Sequence, residues 1–160
     1  MRAYLLLVDL LSFVVTVACS APAPEPTPPP VKTGPPPERA AARGQEFLQA
    51  VMRNDVSSGE RLLSIPSSNL APMFERQARA LSPCSTSAMT YSLNSRPGTL
   101  HARLTVTFTP PCGSYAVFTS RSAVGDPAGS SDRRLAGCTI DLDARDDEWR
   151  VAPPGLTCTP

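Results

Sequence analysis

Residues 100–108 read LHARLTVTF. Leu100, Ala102, Leu104, Val106 and Phe108 alternate with His101, Arg103, Thr105 and Thr107. A period of two marks a strand with one apolar and one polar face. An antiparallel sheet solvated on one side produces that pattern. Upstream, Met89, Tyr91 and Leu93 alternate with Thr90 and Ser92, and Arg96-Pro97-Gly98 supplies a turn between the two runs. Downstream, Pro110-Pro111-Cys112-Gly113 is a second turn. Tyr115, Val117 and Thr119 then read as one face of a third strand, with Ala116 and Phe118 on the other. A polar loop over 122–133 leads to a fourth strand from Leu135 to Asp143, carrying Cys138, Ile140 and Leu142 on one side. A turn at Ala144 to Asp147 leads to a fifth around Trp149 and Val151, and Pro153, Pro154 and the tail to Pro160 close the chain.

Before Cys84 the period is three to four. Ala41, Gly44, Phe47, Leu48, Val51 and Met52 form one stripe of an amphipathic helix from Glu38 to Asn54. Glu38 suits the positive end of its dipole. Ser57-Ser58-Gly59-Glu60 has capping-box spacing, with Ser57 as N-cap and Glu60 at N3, and predicts a short helix to about Leu63. Leu70, Met73, Phe74, Gln77 and Leu81 mark a third helix ending before Ser82-Pro83. Helices followed by hairpin-linked strands give an α+β domain, with N-terminal helices packed on one antiparallel sheet of about five strands. The first helix offers the stripe that covers the apolar sheet face.

The chain holds 160 residues with a net charge of +1, from 14 arginines and one lysine against 14 acids. No basic excess favours nucleic acid. No uncharged apolar run reaches 18 residues, which excludes a multi-spanning membrane protein. Residues 3–17, AYLLLVDLLSFVVTV, follow Arg2 and have the length of a signal-peptide core. Asp9 costs roughly 3 kcal/mol there, against on the order of 4.5 kcal/mol from ten apolar neighbours, so the balance still favours membrane entry. Residues 21–37, APAPEPTPPPVKTGPPP, hold nine prolines. Proline fixes φ and removes a donor, so this stretch reads as an extended spacer. At about 3.1 Å per residue it reaches roughly 50 Å.

The stretch Thr16-Val17-Ala18-Cys19-Ser20 resembles the lipobox of bacterial lipoproteins. The resemblance implies that Cys19 receives a diacylglycerol and becomes the first residue of the mature chain. Two acyl chains hold a protein at a membrane where one holds it only marginally. A plain secretory signal cut after Ser20 is the alternative. The expected organisation is a signal peptide over 1–18, a lipidated cysteine with a proline-rich stalk over 19–37, and a domain over 38–160. The expected location is the extracytoplasmic side of the cell membrane; Ser20 is not the aspartate of an inner-membrane retention signal, which leaves an outer membrane open where the cell has one.

With Cys19 set aside, Cys84, Cys112, Cys138 and Cys158 remain. An even number in an exported chain reads as two disulfides with three connectivities. Folding the first two strands about residue 97 sets Cys84 opposite residue 110, close to Cys112. Folding the last two about 144 or 145 sets Cys138 opposite residue 151, and a tail that curls back brings Cys158 near. These geometries favour Cys84–Cys112 and Cys138–Cys158. Zinc is not expected: there is no CxxC, and His101 is the only histidine.

The helix ARGQEFLQAVMRND (42–55), the short SSGERLLS (57–64) and the closing EWRV (148–151) loosely resemble small lipoproteins with the ketosteroid-isomerase-like, or nuclear-transport-factor-like, cone fold. The resemblance implies a long helix packed in a curved sheet, with room for a cavity, and no particular activity. An isomerase of that kind would need an acid and a tyrosine converging on a pocket, for which Asp141 and Tyr91 are the candidates. The alternation instead puts Tyr91 in the core with Met89 and Leu93, and Asp141 on the wet side. The acids Asp141, Asp143, Asp146, Asp147 and Glu148 lack the glycine of a calcium loop and join two strands. They read as a solvated hairpin tip, partly neutralised by Arg145 and Arg150. Arg133-Arg134 is too small for a phosphate site, and no nucleophile motif or Gly-rich phosphate loop occurs.

The expectation is therefore a membrane-tethered binding or adaptor module of the cell envelope. It has a lipid anchor and an envelope protein as partner, no cofactor, no nucleic acid and no enzymatic activity. His101 and Arg103, beside Thr105, and an exposed Trp149 are its candidate contact surface. A cone-fold domain binding a small molecule in an apolar cavity is the alternative.

Overall fold

The computed structural model describes residues 34–96, 98–119 and 133–160. The expected signal peptide, Cys19 and most of the expected stalk lie outside them. Helix α1 runs Pro37–Met52. Proline suits its first turn, where the missing N–H has no intrahelical acceptor. Ala40, Gly44, Phe47, Leu48 and Val51 fall on one face and are buried. The helix ends at Asn54, whose φ of 54° is left-handed. Asparagine tolerates that region better than most residues.

Helix α2 is Val56–Leu62. Its N-cap is Asp55, whose Oδ1 accepts the Ser58 N–H at 3.0 Å and the Ser57 hydroxyl at 2.9 Å. The expected Ser57–Glu60 capping box does not form. The left-handed Asn54 aims the Asp55 carboxylate at the first free N–H groups, so the cap lies two residues earlier. Helix α3 is Leu70–Leu81, with Leu70, Phe74, Gln77 and Leu81 buried as the spacing predicts. Phe47 and Phe74 meet edge to face, with ring centroids 5.7 Å apart and planes at 88°. Gly59 lies against the Phe74 ring, where a side chain on α2 has no room.

Four strands follow: β1 Met89–Ser95, β2 His101–Cys112, β3 Leu135–Arg145 and β4 Glu148–Thr159. They form one antiparallel sheet in the order β1-β2-β3-β4. Met89 pairs with Phe108 and Leu93 with Leu104; Leu104 pairs with Ile140; Leu142 pairs with Val151. Leu104, Val106, Ile140 and Val151 are fully buried beneath the helices. Each contributes about 1.5–3 kcal/mol in burial. Helix α1 approaches so closely that a Cβ on Gly44 would lie 2.5 Å from Leu104 Cδ2.

The expected count of about five strands becomes four among the described residues. Tyr115–Thr119 is a helix, α4, rather than a strand. Period two over five residues is too short a signal to separate the two forms. The packing decides: Tyr115 and Phe118, three apart, both rest on the core, as one helical face requires. Gly113 with φ +66° and the Ser114 N–H to Ala80 O bond turn the chain off the sheet.

The C-terminal tail does not curl back as a loop but continues as β4. Ile140 pairs with Leu156 and Leu142 with Val151, so Asp141 faces the four residues Ala152 to Gly155. Prolines 153 and 154, which cannot donate to a ladder, sit in this bulge. Three extra residues flip the alternation, so Trp149 and Val151 point inward before the bulge, and Leu156 and Cys158 after it. At the other end of β4, Asp146 and Asp147 have φ of 50° and 62°. Two left-handed residues between paired strands make the tight hairpin turn that matches sheet twist.

Candidate functional site

The polar face of the sheet is built by alternation. His101 and Arg103 point away from the core because Ala102 and Leu104 point into it. Register then sets each basic residue opposite an acid, His101 across from Asp143 and Arg103 across from Asp141. His101 Nδ1 lies 2.7 Å from Asp143 Oδ1. Arg103 donates through Nε at 2.6 Å and Nη2 at 3.1 Å to the two Asp141 oxygens. This forked contact raises the Arg103 pKa above its ordinary value. The His101 side chain is 81% exposed. Arg96, Thr99 and Asn94 extend the patch around a shallow depression of about 540 Å³. Its charges are mutually neutralised, so the face offers hydrogen-bonding groups rather than a field.

Trp149, expected beside them, is 2% exposed and does not join this surface. Its pairing with Ala144 puts the indole on the core side of β4. Its Nε1–H donates to Pro36 O at 3.0 Å, tying the last residues before α1 to the sheet. Tyr91, expected in the core, is 38% exposed. Strand β1 is an edge strand, and the helices cover it less fully than its neighbours. The phenol donates to Met89 Sδ at 3.6 Å, and partial burial raises its pKa. Asp141 lies on the outer face, bonded to Arg103 and on the opposite side of the sheet from the core, so it converges on no pocket with Tyr91.

The cysteines pair as the hairpin geometry favours. Cys84 and Cys112 have Cα atoms 5.2 Å apart and S–S 2.05 Å. Cys138 and Cys158 are directly opposite on β3 and β4, with Cα atoms 3.9 Å apart. Cys84, Cys138 and Cys158 are buried. Among the described residues no group of three His, Cys, Asp or Glu side chains could hold a metal, and no helix is long and apolar enough to cross a membrane.

A second concave surface was not read from the sequence. A groove of about 600 Å³ lies between α1, α2 and β4, and Arg43, Arg53, Arg61 and Arg150 line it with Glu46, Asp55 and Glu148. The four arginines come from α1, the residue just after it, α2 and β4, and only the fold gathers them. No protein-family model matches the chain, and no curated protein is similar to it.

Proposed function

We propose that the chain is a lipid-anchored, extracytoplasmic module of a bacterial cell envelope, non-enzymatic, held at the membrane by Cys19. Its domain would engage an envelope protein through the His101 and Arg103 face. The observation that carries the reading is the pair of cystines, each closing one hairpin, downstream of a lipobox-like leader and a proline-rich spacer. Disulfides persist in oxidising compartments, and a reduced cytosol would not maintain them. The flat, charge-balanced sheet face suits a specific polar contact better than electrostatic attraction to membrane or nucleic acid.

The cone-fold resemblance is supported by α1 lying along the inner sheet face. The cavity that it implies is not supported by the packing around Gly44 and Leu104, where helix and sheet leave no space for a ligand. Intact-mass measurement on the chain from its native host, before and after reduction, tests the proposal. The expected result is a diacyl-type increment on a chain beginning at Cys19, with four protons gained on reduction. An unmodified chain retaining its leader, with free thiols, would overturn it.

A further inference from the structure

We propose that the groove between α1, α2 and β4 binds a phosphate-bearing anion. The starting point is how its charges are used. Arg43 donates to Glu46 Oε2 at 3.0 Å, and Arg150 donates to Glu148 Oε2 at 2.8 Å. Those two cations are neutralised in contact. Arg53 donates instead to Gln49 Oε1 at 3.2 Å, and Arg61 to Ser58 Oγ at 3.0 Å. Both acceptors are neutral, and among the described residues neither guanidinium makes an ion pair.

The remaining carboxylate of the groove, Asp55, offsets one of these two charges without contacting either guanidinium. The Ser58 side chain and backbone N–H and then the Ser57 hydroxyl hold the Asp55 pKa at about 2, and the Arg61 charge lowers it further. Arg53 and Arg61 are therefore two guanidiniums of one concavity that contact no carboxylate, and with Asp55 counted the groove keeps an excess of one positive charge. Each is oriented by a neighbour one helical turn away, so part of its rotamer freedom is already lost before a ligand arrives. A second tie keeps the walls together: Arg150 Nη1 donates to the main-chain oxygen of Arg61, fastening β4 to the end of α2.

The chemistry of the ligand follows from the donors. A guanidinium presents a planar fork that matches phosphate oxygens, and two such forks suit one tetrahedral anion. A volume of about 600 Å³ exceeds what phosphate alone needs and leaves room for the group that carries it. Four guanidiniums against three carboxylates give a small net excess, which suits a single ligand in a groove better than a lipid surface reached by diffuse charge. The shared chemistry of a lipid headgroup and a soluble phosphate ester is the phosphate itself.

The test is an NMR titration of the arginine side-chain Nε signals of the full chain in detergent, with inorganic phosphate and then pyrophosphate, against sodium chloride at matched ionic strength. Saturable shifts are expected at Arg53 and Arg61 with phosphate and not with chloride. Arg53→Gln or Arg61→Gln should weaken binding about tenfold each, the loss of a charge-assisted contact. Arg79→Gln, on the far α3 surface and paired with Glu75, should leave it unchanged. Glucose 1-phosphate that competes better than phosphatidylglycerol dissolved in the same detergent micelles identifies a soluble ester, and the reverse order a headgroup. The absence of a saturable shift with either anion overturns the proposal. So does binding as tight as the unsubstituted chain's by folded Arg53→Gln and Arg61→Gln chains, with folding verified by circular dichroism.

Discussion

Removing the two cystines separately and together measures how much of this domain's stability is cross-linking. The sequence separations are 28 for Cys84–Cys112 and 20 for Cys138–Cys158. In the chain-entropy account these closed loops are worth about 3.6 and about 3.3 kcal/mol at 25 °C. The loops neither nest nor overlap, so the unfolded chain loses the two constraints independently and the losses should add to about 7 kcal/mol. A domain of this size has a total of about 5–15 kcal/mol, so the doubly opened chain stands near the edge of unfolding. Alanine is the replacement of choice, because serine would leave a hydroxyl at buried Cys84, Cys138 or Cys158. Equilibrium urea unfolding of Cys84→Ala/Cys112→Ala and of Cys138→Ala/Cys158→Ala should each lower the midpoint by about 1.5–2 M, with the quadruple variant largely unfolded in water. Midpoints unchanged in either pair variant, or a quadruple variant no weaker than a single pair, would refute the reasoning and remove the argument for an oxidising compartment.

Other consequences are equally direct. Gly44→Ala should gain about 1 kcal/mol in helix propensity yet lose about 1–3 kcal/mol against Leu104, a net destabilisation by thermal melting that reverses in a Leu104→Ala background. Trp149, the sole tryptophan, should emit in the blue and resist iodide quenching, and Trp149→Phe should cost about 1–2 kcal/mol through the unpaired Pro36 carbonyl. The folded pKa of Asp55 lies at about 2, below the 3.8 ordinary for an aspartate, so its charge stabilises α2 above pH 3.8 and that contribution fades as pH falls towards 2. Urea midpoints of wild type and Asp55→Ala should therefore differ at pH 5 and converge near pH 2. In the outer face, Arg103→Gln should leave the urea midpoint almost unmoved, since the exposed pair with Asp141 contributes little to folding.

Local periodicity was a sound guide where it ran long. The alternation of residues 101–108, the Phe47–Leu48–Val51 stripe and the α3 spacing each extend over several repeats, so core and solvent faces follow directly from side-chain pattern, whereas Leu100, just before the strand, is exposed. The outward direction of His101 and Arg103 belongs to the same category. The cysteine partners were accessible because a tight hairpin is nearly a mirror, and counting outward from its turn brings the correct sulfurs near one another. Sequence also supplied the lipobox-like leader and the spacer, whose chemistry does not depend on how the domain folds.

Tertiary structure decided what short or distant signals leave open. Residues 115–119 carry one repeat of either period, and contact of Tyr115 and Phe118 with the core selects the helix. Trp149 is buried because register with Ala144 and the oxygen of Pro36 gives its indole an apolar site with a satisfied donor. Tyr91 is exposed because the helices cover β1 less fully than the other strands, a property of packing rather than of the residue. The cap at Asp55 depends on the backbone turn at Asn54. The arginine groove depends on α1, α2 and β4 meeting, with Arg61 and Arg150 separated by 89 positions. Hydrophobic spacing states which way a side chain points relative to its own neighbours, whereas which distant side chains then share a surface is settled only when the elements pack.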